Sequence, residues 1–510
     1  MQQRNLTVAK FFRQDLSRSK LALTVSLKLF AEDPIGFTAK VAEKFRMAKS
    51  PTLQRIANFL SNTIKQFSHS PLDIYVDDGE FTAGLQWAKS QKHLSRREKS
   101  LVRVHREKIQ RLHHDFADSA PLDKAQRVVH YLTNSLPHTN SGYTLRSQKV
   151  LEAQKSAGLS VAPITRLGYP LVIGKVSVKP TDNINSVVYS RMLPDSFPAS
   201  LTERDKLAIR ELVNFCKQEK ADAIQTTTDF TNAIVVSEAA SILNIPWVYE
   251  VRGELESTWA SRRPQSAERS EFYRLAHEAE TRAMLAAAHV VTLSEISKQD
   301  LISRGVPRDR ITVVPNAVEA AQLTWTPDKC KTADLRRSLG VSDDTTIVGA
   351  ITSVVSYEGL EVLIDATKYL PDNYAFVIVG DGNDRERLEN LPNAKNVHFV
   401  GKKAQSEVLD WYALLDVFVI PRLDMAVTRK VTPIKGLQAQ ALGIPIVASD
   451  LPALREVTGG IETYVTPGSA EALAQGIREV AGTTRQQGID WARTRSWSTN
   501  SNLYKSIFRG

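Results

Sequence analysis

Cysteine is almost missing. Cys216 and Cys330 are the only two in 510 residues, too few for a disulfide framework, and that scarcity points to a reducing compartment. No apolar run reaches the ~20 residues that cross a bilayer; the best, Leu21 to Ala31, is too short and carries Lys28. The N-terminus has no apolar core ending in a small-residue cleavage site, so secretion is not expected and the reading places the chain in the cytoplasm. No Gly-x-Gly-x-x-Gly follows a strand-like run, which excludes a dinucleotide-dependent oxidoreductase. There is no 34-residue repeat, and hence no helical array. His105, His113 and His114 lack thiol partners and tight ligand spacing, so they read as ordinary surface histidines and no metal site is expected.

What is present is ordinary globular material: 42% hydrophobic and 24% charged residues over 510 positions, enough for about three folding units. The net charge of +10 is uneven. Residues 1–125 hold 22 Lys and Arg against 13 Asp and Glu, whereas the remainder holds 44 against 43. A basic N-terminal piece meets water, anionic lipid or nucleic acid; the reading sets nucleic acid aside and keeps solvated surface and lipid open. Within that piece the spacing of Phe37, Val41, Phe45 and of Leu53, Ile56, Leu60, Ile64 is helical, with breaks at Asp33-Pro34 and Ser50-Pro51. Leu94 to His114 reads as a strongly basic helix.

From Gln126 short apolar runs alternate with amphipathic helices. Strands are expected at 128–132, 159–164, 223–225, 246–251, 290–293 and 311–314, with helices at 144–157, 233–243, 272–288 and 296–304. After a polar break at 316–344 the alternation restarts, with strands at 346–351, 375–379, 397–400, 417–420 and 446–448. Two α/β units with parallel sheets follow, each binding ligands at the carboxyl ends of its strands. The expected division is a basic helical region 1–125, a first Rossmann-like domain 126–318, a second 319–484, and a C-terminal helix 485–510 crossing back to the first.

The stretch from Pro421 to Gly443 carries the most chemistry. Thr432-Pro433 reads as an N-cap followed by proline at the first helical position. Lys435 then falls in the first turn, where the helix dipole disfavours a cation. Arg422, Arg429 and Lys430 are close in sequence, with only Asp424 against them. Cations gathered there fit an anion such as a diphosphate, or else a solvated surface. Gln438 shares the Lys435 face and can bond a hydroxyl.

This segment resembles the donor-binding region of retaining glycosyltransferases of family 4 (glycosyltransferase group 1), whose GT-B fold has two Rossmann-like domains facing a cleft. Further matches follow in order over residues 126–500: Ser141-Gly142-Tyr143-Thr144-Leu145-Arg146, Thr165-Arg166-Leu167-Gly168-Tyr169-Pro170, Val248-Tyr249-Glu250-Val251-Arg252-Gly253, Val314-Pro315-Asn316-Ala317-Val318, Val379-Gly380-Asp381-Gly382, and Val447 to Glu456. The resemblance implies a hexosyltransferase using a nucleotide-diphosphate sugar, without metal or other cofactor, in envelope or exopolysaccharide assembly. The acceptor it implies is a saccharide or lipid-linked saccharide, and residues 1–125 are a candidate contact with the inner face of the cytoplasmic membrane. No Asp-x-Asp is present.

The implied catalytic residues are Arg252, Lys435 and Arg422. Lys435, Gln438, Arg422, Gly401, Gly380 and Glu456 would bind the donor; Gly142 and Arg166 would face the acceptor. A salt bridge to Glu254 or Glu256 is the other reading of Arg252, and a tight turn that of Gly142. The chain departs from the family at Lys430 and Gln438, where a Glu pair is common, and at Ser353 and Glu358, where Arg and Lys are. A family branch with Tyr-Glu-Gly, here Tyr357-Glu358-Gly359, has its lysine at the Lys435 position. A weakened GT-B protein acting as a scaffold is the alternative these departures raise.

Overall fold

The computed structural model describes residues 24–26, 54–55, 58, 70–175, 179–261 and 263–509. Apart from Thr24 to Ser26, the apolar stretch Lys20 to Phe30 lies outside them, as do the helical spacing from Phe37 to Phe45 and both expected breaks. The chain forms two compact units. One comprises Met1–Val251, Leu255–Val290 and Ile507–Gly510; the other comprises Arg252–Glu254 and Val291–Ser506.

The described part of the chain opens with helices α1 (Pro71–Asp77), α2 (Phe81–Ser90) and α3 (Arg96–Leu112). Helix α3 starts at a capping box, with Ser95 accepting from the Glu98 amide and Glu98 accepting from the Ser95 amide. His105 faces inward and is buried, not a surface histidine; burial pushes its pKa down to about 4, with Lys108 adding to the effect. These helices belong to the first unit.

Its sheet uses β1 (Arg127–Leu132), β2 (Ser160–Thr165), β3 (Thr181–Ile184), β4 (Val187–Arg191), β5 (Ala223–Thr227) and β6 (Trp247–Val251), and continues into β7 (His289–Thr292) and β8 (Ile311–Val313) in the order β3-β4-β2-β1-β5-β6-β7-β8. β3 and β4 form an antiparallel hairpin that the alternation did not reveal. Its two loop residues, Asn185 and Ser186, have φ of 46° and 66°, as a type I′ turn requires. Helices α4 (Gly142–Ser156), α5 (Leu201–Glu219), α6 (Phe230–Leu243) and α7 (Glu271–Ala286) cover this sheet.

The compact units divide after Val290, whereas the eight-stranded sheet itself runs on to Val313, close to the boundary at 318 expected from sequence. Polar contacts explain the difference. Helix α8 (Glu295–Ser303) takes the Glu456 carboxylate on its first two amides, Asp300 receives Lys430, and Asn316 donates to the Thr432 carbonyl, all inside the second unit. At the other end, the Phe508 carbonyl of α15 (Trp497–Arg509; α14 is Gln486–Thr494) accepts from the Ala125 amide in the first unit.

The second sheet is parallel throughout. Strands β9 (Thr346–Ile351), β10 (Tyr374–Val379), β11 (Val397–Gly401), β12 (Val417–Ile420), β13 (Ile446–Ser449) and β14 (Thr463–Val465) lie in the order β11-β10-β9-β12-β13-β14. Val348 and Ala350 of β9 enter one core with Leu363, Leu473 and Ile477, while Ile347 and Ile351 enter the other with Leu414, Ala439 and Leu454. Both faces are buried, which is why these strands read as unbroken apolar runs. The polar break hides α9 (Lys329–Leu339), capped by Asp328 and ended by Gly340. It buries no residue, so it leaves no apolar stripe in the sequence. The second unit also holds α10 (Leu360–Ala366), α11 (Ala426–Lys430), α12 (Lys435–Ala441) and α13 (Pro452–Thr458).

Candidate active site

Between β9 and β12 the strand order of the second sheet reverses, with β10 and β11 on one side and β13 and β14 on the other. Ligands of open parallel sheets bind in the crevice that such a reversal leaves at the carboxyl strand ends. Four side chains converge there. Thr352 follows β9, Glu358 ends the short turn Ser356–Glu358, Arg422 follows β12, and Lys435 opens α12.

Lys435 Nζ donates to Thr352 Oγ1 at 2.9 Å. Arg422 grips Glu358 with two bonds, Nη2 to Oε1 at 2.7 Å and Nε to Oε2 at 3.2 Å, and gives Nη1 to the Val431 carbonyl at 2.9 Å. Burial alone raises the Glu358 carboxyl, but Arg422 and Lys435 outweigh it and hold its pKa below the ordinary carboxylate value. Burial pushes Lys435 below the ordinary ammonium value, with Glu358 opposing and Arg422 reinforcing the shift.

The local excess of cations expected from sequence does not survive folding. Arg422 is neutralised by Glu358, Arg429 pairs with Asp424 at 2.5 Å, and Lys430 reaches Glu254 and Asp300 at 2.7 Å each. Those carboxylates are 64, 176 and 130 residues away from their partners in three of the four cases, so no local count finds them. Lys435 is different. Its ammonium has a hydroxyl as hydrogen-bond partner, and among the described residues it forms no ion pair.

Helix α12 begins at Lys435, with Ile434 as its N-cap and no side-chain cap bond. Thr432 is therefore not the N-cap; it is buried, and Asn316 holds its carbonyl. One turn on, Gln438 Oε1 and the Lys435 carbonyl both lie 3.3 Å from the buried Tyr412 hydroxyl. The glutamine oxygen is thus engaged from below, which turns the amide Nε2 into the group on offer. Thr352 and Tyr412 were not singled out from sequence. Thr352 had a signal, since it is the first residue beyond a strand flanking the reversal; Tyr412 had none.

Two glycines shape the crevice by letting backbones touch. A Cβ on Gly380 (φ +153°) would lie 1.7 Å from the Thr352 carbonyl oxygen, and one on Gly359 (φ +68°) 2.0 Å from that of Pro421. Gly401 (φ +73°) accepts from the Gly380 amide at 3.1 Å, one step further along the sheet edge. The Glu456 carboxylate is turned to α8, 2.6 Å from the Glu295 amide and 3.1 Å from that of Ile296.

Two family models match the chain. "Glycosyl transferase 4-like domain" covers residues 141–317 and "Glycosyl transferases group 1" covers residues 343–482. The chain belongs to the group 1 glycosyltransferases. It is 26% identical over 200 residues to the alpha-galactosylglucosyldiacylglycerol synthase of Streptococcus pneumoniae, a match covering 38% of this chain and 51% of the synthase, so the similarity spans about half of that relative. With the D-inositol 3-phosphate glycosyltransferase of Corynebacterium jeikeium it shares 24% identity over 66% of this chain and 80% of the relative. The crystal structure of HepE from Anabaena with UDP and glucose superposes at a TM-score of 0.57, covering 74% of this chain and 98% of that one at 18% identity, and so has the same GT-B fold.

In the first unit of this glycosyltransferase, Gly142 is exposed at the start of α4, where a Cβ would meet nothing within 4 Å. The helix is capped by Ser141, which forms a box with Thr144. Arg146, on the same helix, makes a buried ion pair with Glu250 of β6 at 2.8 Å, joining two of the family-like segments. Arg166 follows β2, with Nη2 3.5 Å from Asn134 Oδ1. Arg252 is buried and groups with the second unit. Of the two carboxylates suggested for it, Glu254 also takes Lys430 at 2.7 Å, and Glu256 also meets His277 at 3.2 Å.

Proposed function

We propose that this protein is a retaining hexosyltransferase that moves a sugar from a nucleotide diphosphate to a hydroxyl of a saccharide or lipid-linked saccharide in envelope or exopolysaccharide assembly. The observation that carries this reading is Lys435, half-buried at the strand-order reversal, its ammonium held by a hydroxyl and, among the described residues, by no ion pair. Relatives named for glycolipid and inositol phosphate glycosyl transfer support the substrate class.

The chemistry asks little of covalent catalysis. The bond from the anomeric carbon to the β-phosphate oxygen breaks, the acceptor oxygen bonds to that carbon from the same face, and the acceptor proton passes to a β-phosphate oxygen. Charge grows on the β-phosphate as the bond breaks, and an oriented cation with a depressed pKa stabilises it without a metal ion. Arg422 is committed to Glu358, so in this reading it positions the loop beyond β12 and only Lys435 meets the phosphate directly. Gln438 Nε2 donates to a ribose or sugar hydroxyl, and Arg252, Gly142 and Arg166 serve the acceptor side.

Lys435→Ala is expected to weaken binding of the cognate nucleotide by about 1.5–3 kcal/mol, the range for a hydrogen bond to a charged group. Binding should also depend on pH with a definite sign. The free ammonium titrates below its ordinary value of 10.5 and a bound diphosphate raises it, so binding takes up a proton. Wild-type affinity therefore falls as pH rises through the free-enzyme value, and the alanine variant loses that slope. Calorimetry with UDP, GDP and ADP across pH checks both; equal affinities for wild type and variant would remove Lys435 from the donor site.

Gln438→Ala should slow transfer or donor hydrolysis about three- to tenfold, the effect of one neutral hydrogen bond. Gln438→Glu should do worse than wild type, because its carboxylate replaces a donor with an acceptor. An alanine variant as active as wild type would remove Gln438 from the donor site, and a wild type that hydrolyses no nucleotide sugar would leave a scaffold role.

A further inference from the structure

Helix α3 presents a straight row of cations that the fold does not use. Arg96, Lys99, Arg103 and Arg106 are exposed, and the row continues with exposed Gln110 and His113. At 100° per residue these six positions fall within about 100° of arc. Among the described residues none of the four cationic side chains forms an ion pair or a hydrogen bond. The opposite face holds Leu101, Val102, Val104, His105 and Leu112, all buried.

The charges on the other side of α3 are all committed. Arg97 pairs with Asp73 at 2.8 Å and Arg111 with Asp205 at 2.6 Å. Glu98 closes the capping box, and Glu107 accepts from the Ser200 hydroxyl at 2.6 Å and the Leu201 amide at 2.8 Å. Both carboxylates of the helix therefore act away from the stripe, which carries no negative charge. Exposed Lys89 and Lys92 stand just before it in the chain.

We propose that this face of α3 docks the protein on an anionic lipid surface. A 17-residue helix is about 25 Å long, and a row of cations along it meets a plane of headgroup phosphates all at once. Each such cation near an anionic membrane strengthens binding roughly fivefold, and salt screens the attraction. A single-stranded nucleic acid would call for aromatic side chains on which bases stack, and the stripe has none. The inference rests on surface charge and not on the transferase reading.

The test is co-sedimentation of the full chain with vesicles of phosphatidylcholine containing a minority of phosphatidylglycerol, and with phosphatidylcholine alone. Wild type should bind the mixed vesicles at low salt, release at high salt, and ignore the neutral ones. The variant Arg96→Gln/Lys99→Gln/Arg103→Gln/Arg106→Gln should lose roughly several hundredfold in affinity, while Arg96→Lys/Arg103→Lys/Arg106→Lys keeps it. Because the four side chains are exposed and, among the described residues, form no ion pair or hydrogen bond, the Gln variant should melt with wild type; if it does not, Lys99→Gln/Arg103→Gln replaces it, with an expected loss on the order of tenfold. Undiminished binding by the neutralised variant overturns the proposal. So does tighter binding of wild type to a single-stranded RNA than to the mixed vesicles. Because sedimentation reads no catalysis, its failure leaves the proposed reaction untouched, and an inactive enzyme leaves the docking face untouched.

Discussion

Glu358→Gln is expected to destabilise the second unit by about 3–5 kcal/mol, the range for removing one partner of a buried ion pair. Arg422 would keep its bond to the Val431 carbonyl but lose the carboxylate that both its Nε and Nη2 address, and it is 5% exposed. A guanidinium cannot shed its proton to escape, so the uncompensated charge stays in the interior. Removing the arginine as well should recover part of the loss: Glu358→Gln/Arg422→Met should be more stable than the sum of the single changes implies. Thermal or urea unfolding of the four proteins gives the coupling, and additive effects would show that the pair is not a unit. Nucleotide affinity should move the other way. Glu358 is a negative charge beside Lys435, where a diphosphate is proposed to bind, and neutralising it should tighten nucleotide binding even as the fold weakens.

Glu280→Gln should make the protein more stable at pH 8 and above while changing little near pH 4.5. Glu280 lies on α7, buried, accepting from the Phe230 amide at 2.7 Å and the Tyr249 hydroxyl at 2.6 Å. Burial, with Asp229 and Glu256 adding to it, pushes its carboxyl from 4.5 up to about 8. Over that window the folded protein keeps a proton that the unfolded chain has released, so stability falls as pH rises from about 4.5 to about 8 and then levels off. The whole effect is on the order of 3–5 kcal/mol. Glutamine mimics the neutral acid and has nothing to titrate, so the difference in Tm between variant and wild type should open across this window. A constant difference from acid to alkaline pH would mean that the Glu280 carboxyl titrates alike in the folded and unfolded states.

The candidate site was legible in part. Lys435, Arg422 and Gln438 were all named from one segment, because a helix following a strand in an α/β unit places its first turn near the strand end. Their partners were not legible. Thr352, Glu358 and Tyr412 arrive from 83, 64 and 26 residues away, and Glu358 was noted only as a missing cation when it is the counter-charge of Arg422. His105 shows the same limit in the first unit. Its place in a basic helix reads as surface, but α3 turns that side onto a core, and burial decides its protonation.

By itself the sequence determined the architecture. Alternating short apolar strands and amphipathic helices leave a parallel sheet covered on both faces as the compact solution, and the ordered motifs placed the chain in its family. The strand ends and the glycines that must lie beside backbone, Gly359 and Gly380, are local requirements and are written locally. Charge was decided by the tertiary structure alone. A cation's effect depends on which carboxylate stands within about 4 Å and how much water remains, and neither is a property of neighbouring residues. Folding silenced Arg422, Arg429 and Lys430 with carboxylates, left Lys435 to a hydroxyl, and set four cations of α3 free at the surface, because only the packed chain brings distant acids to some of these charges and turns the others outward.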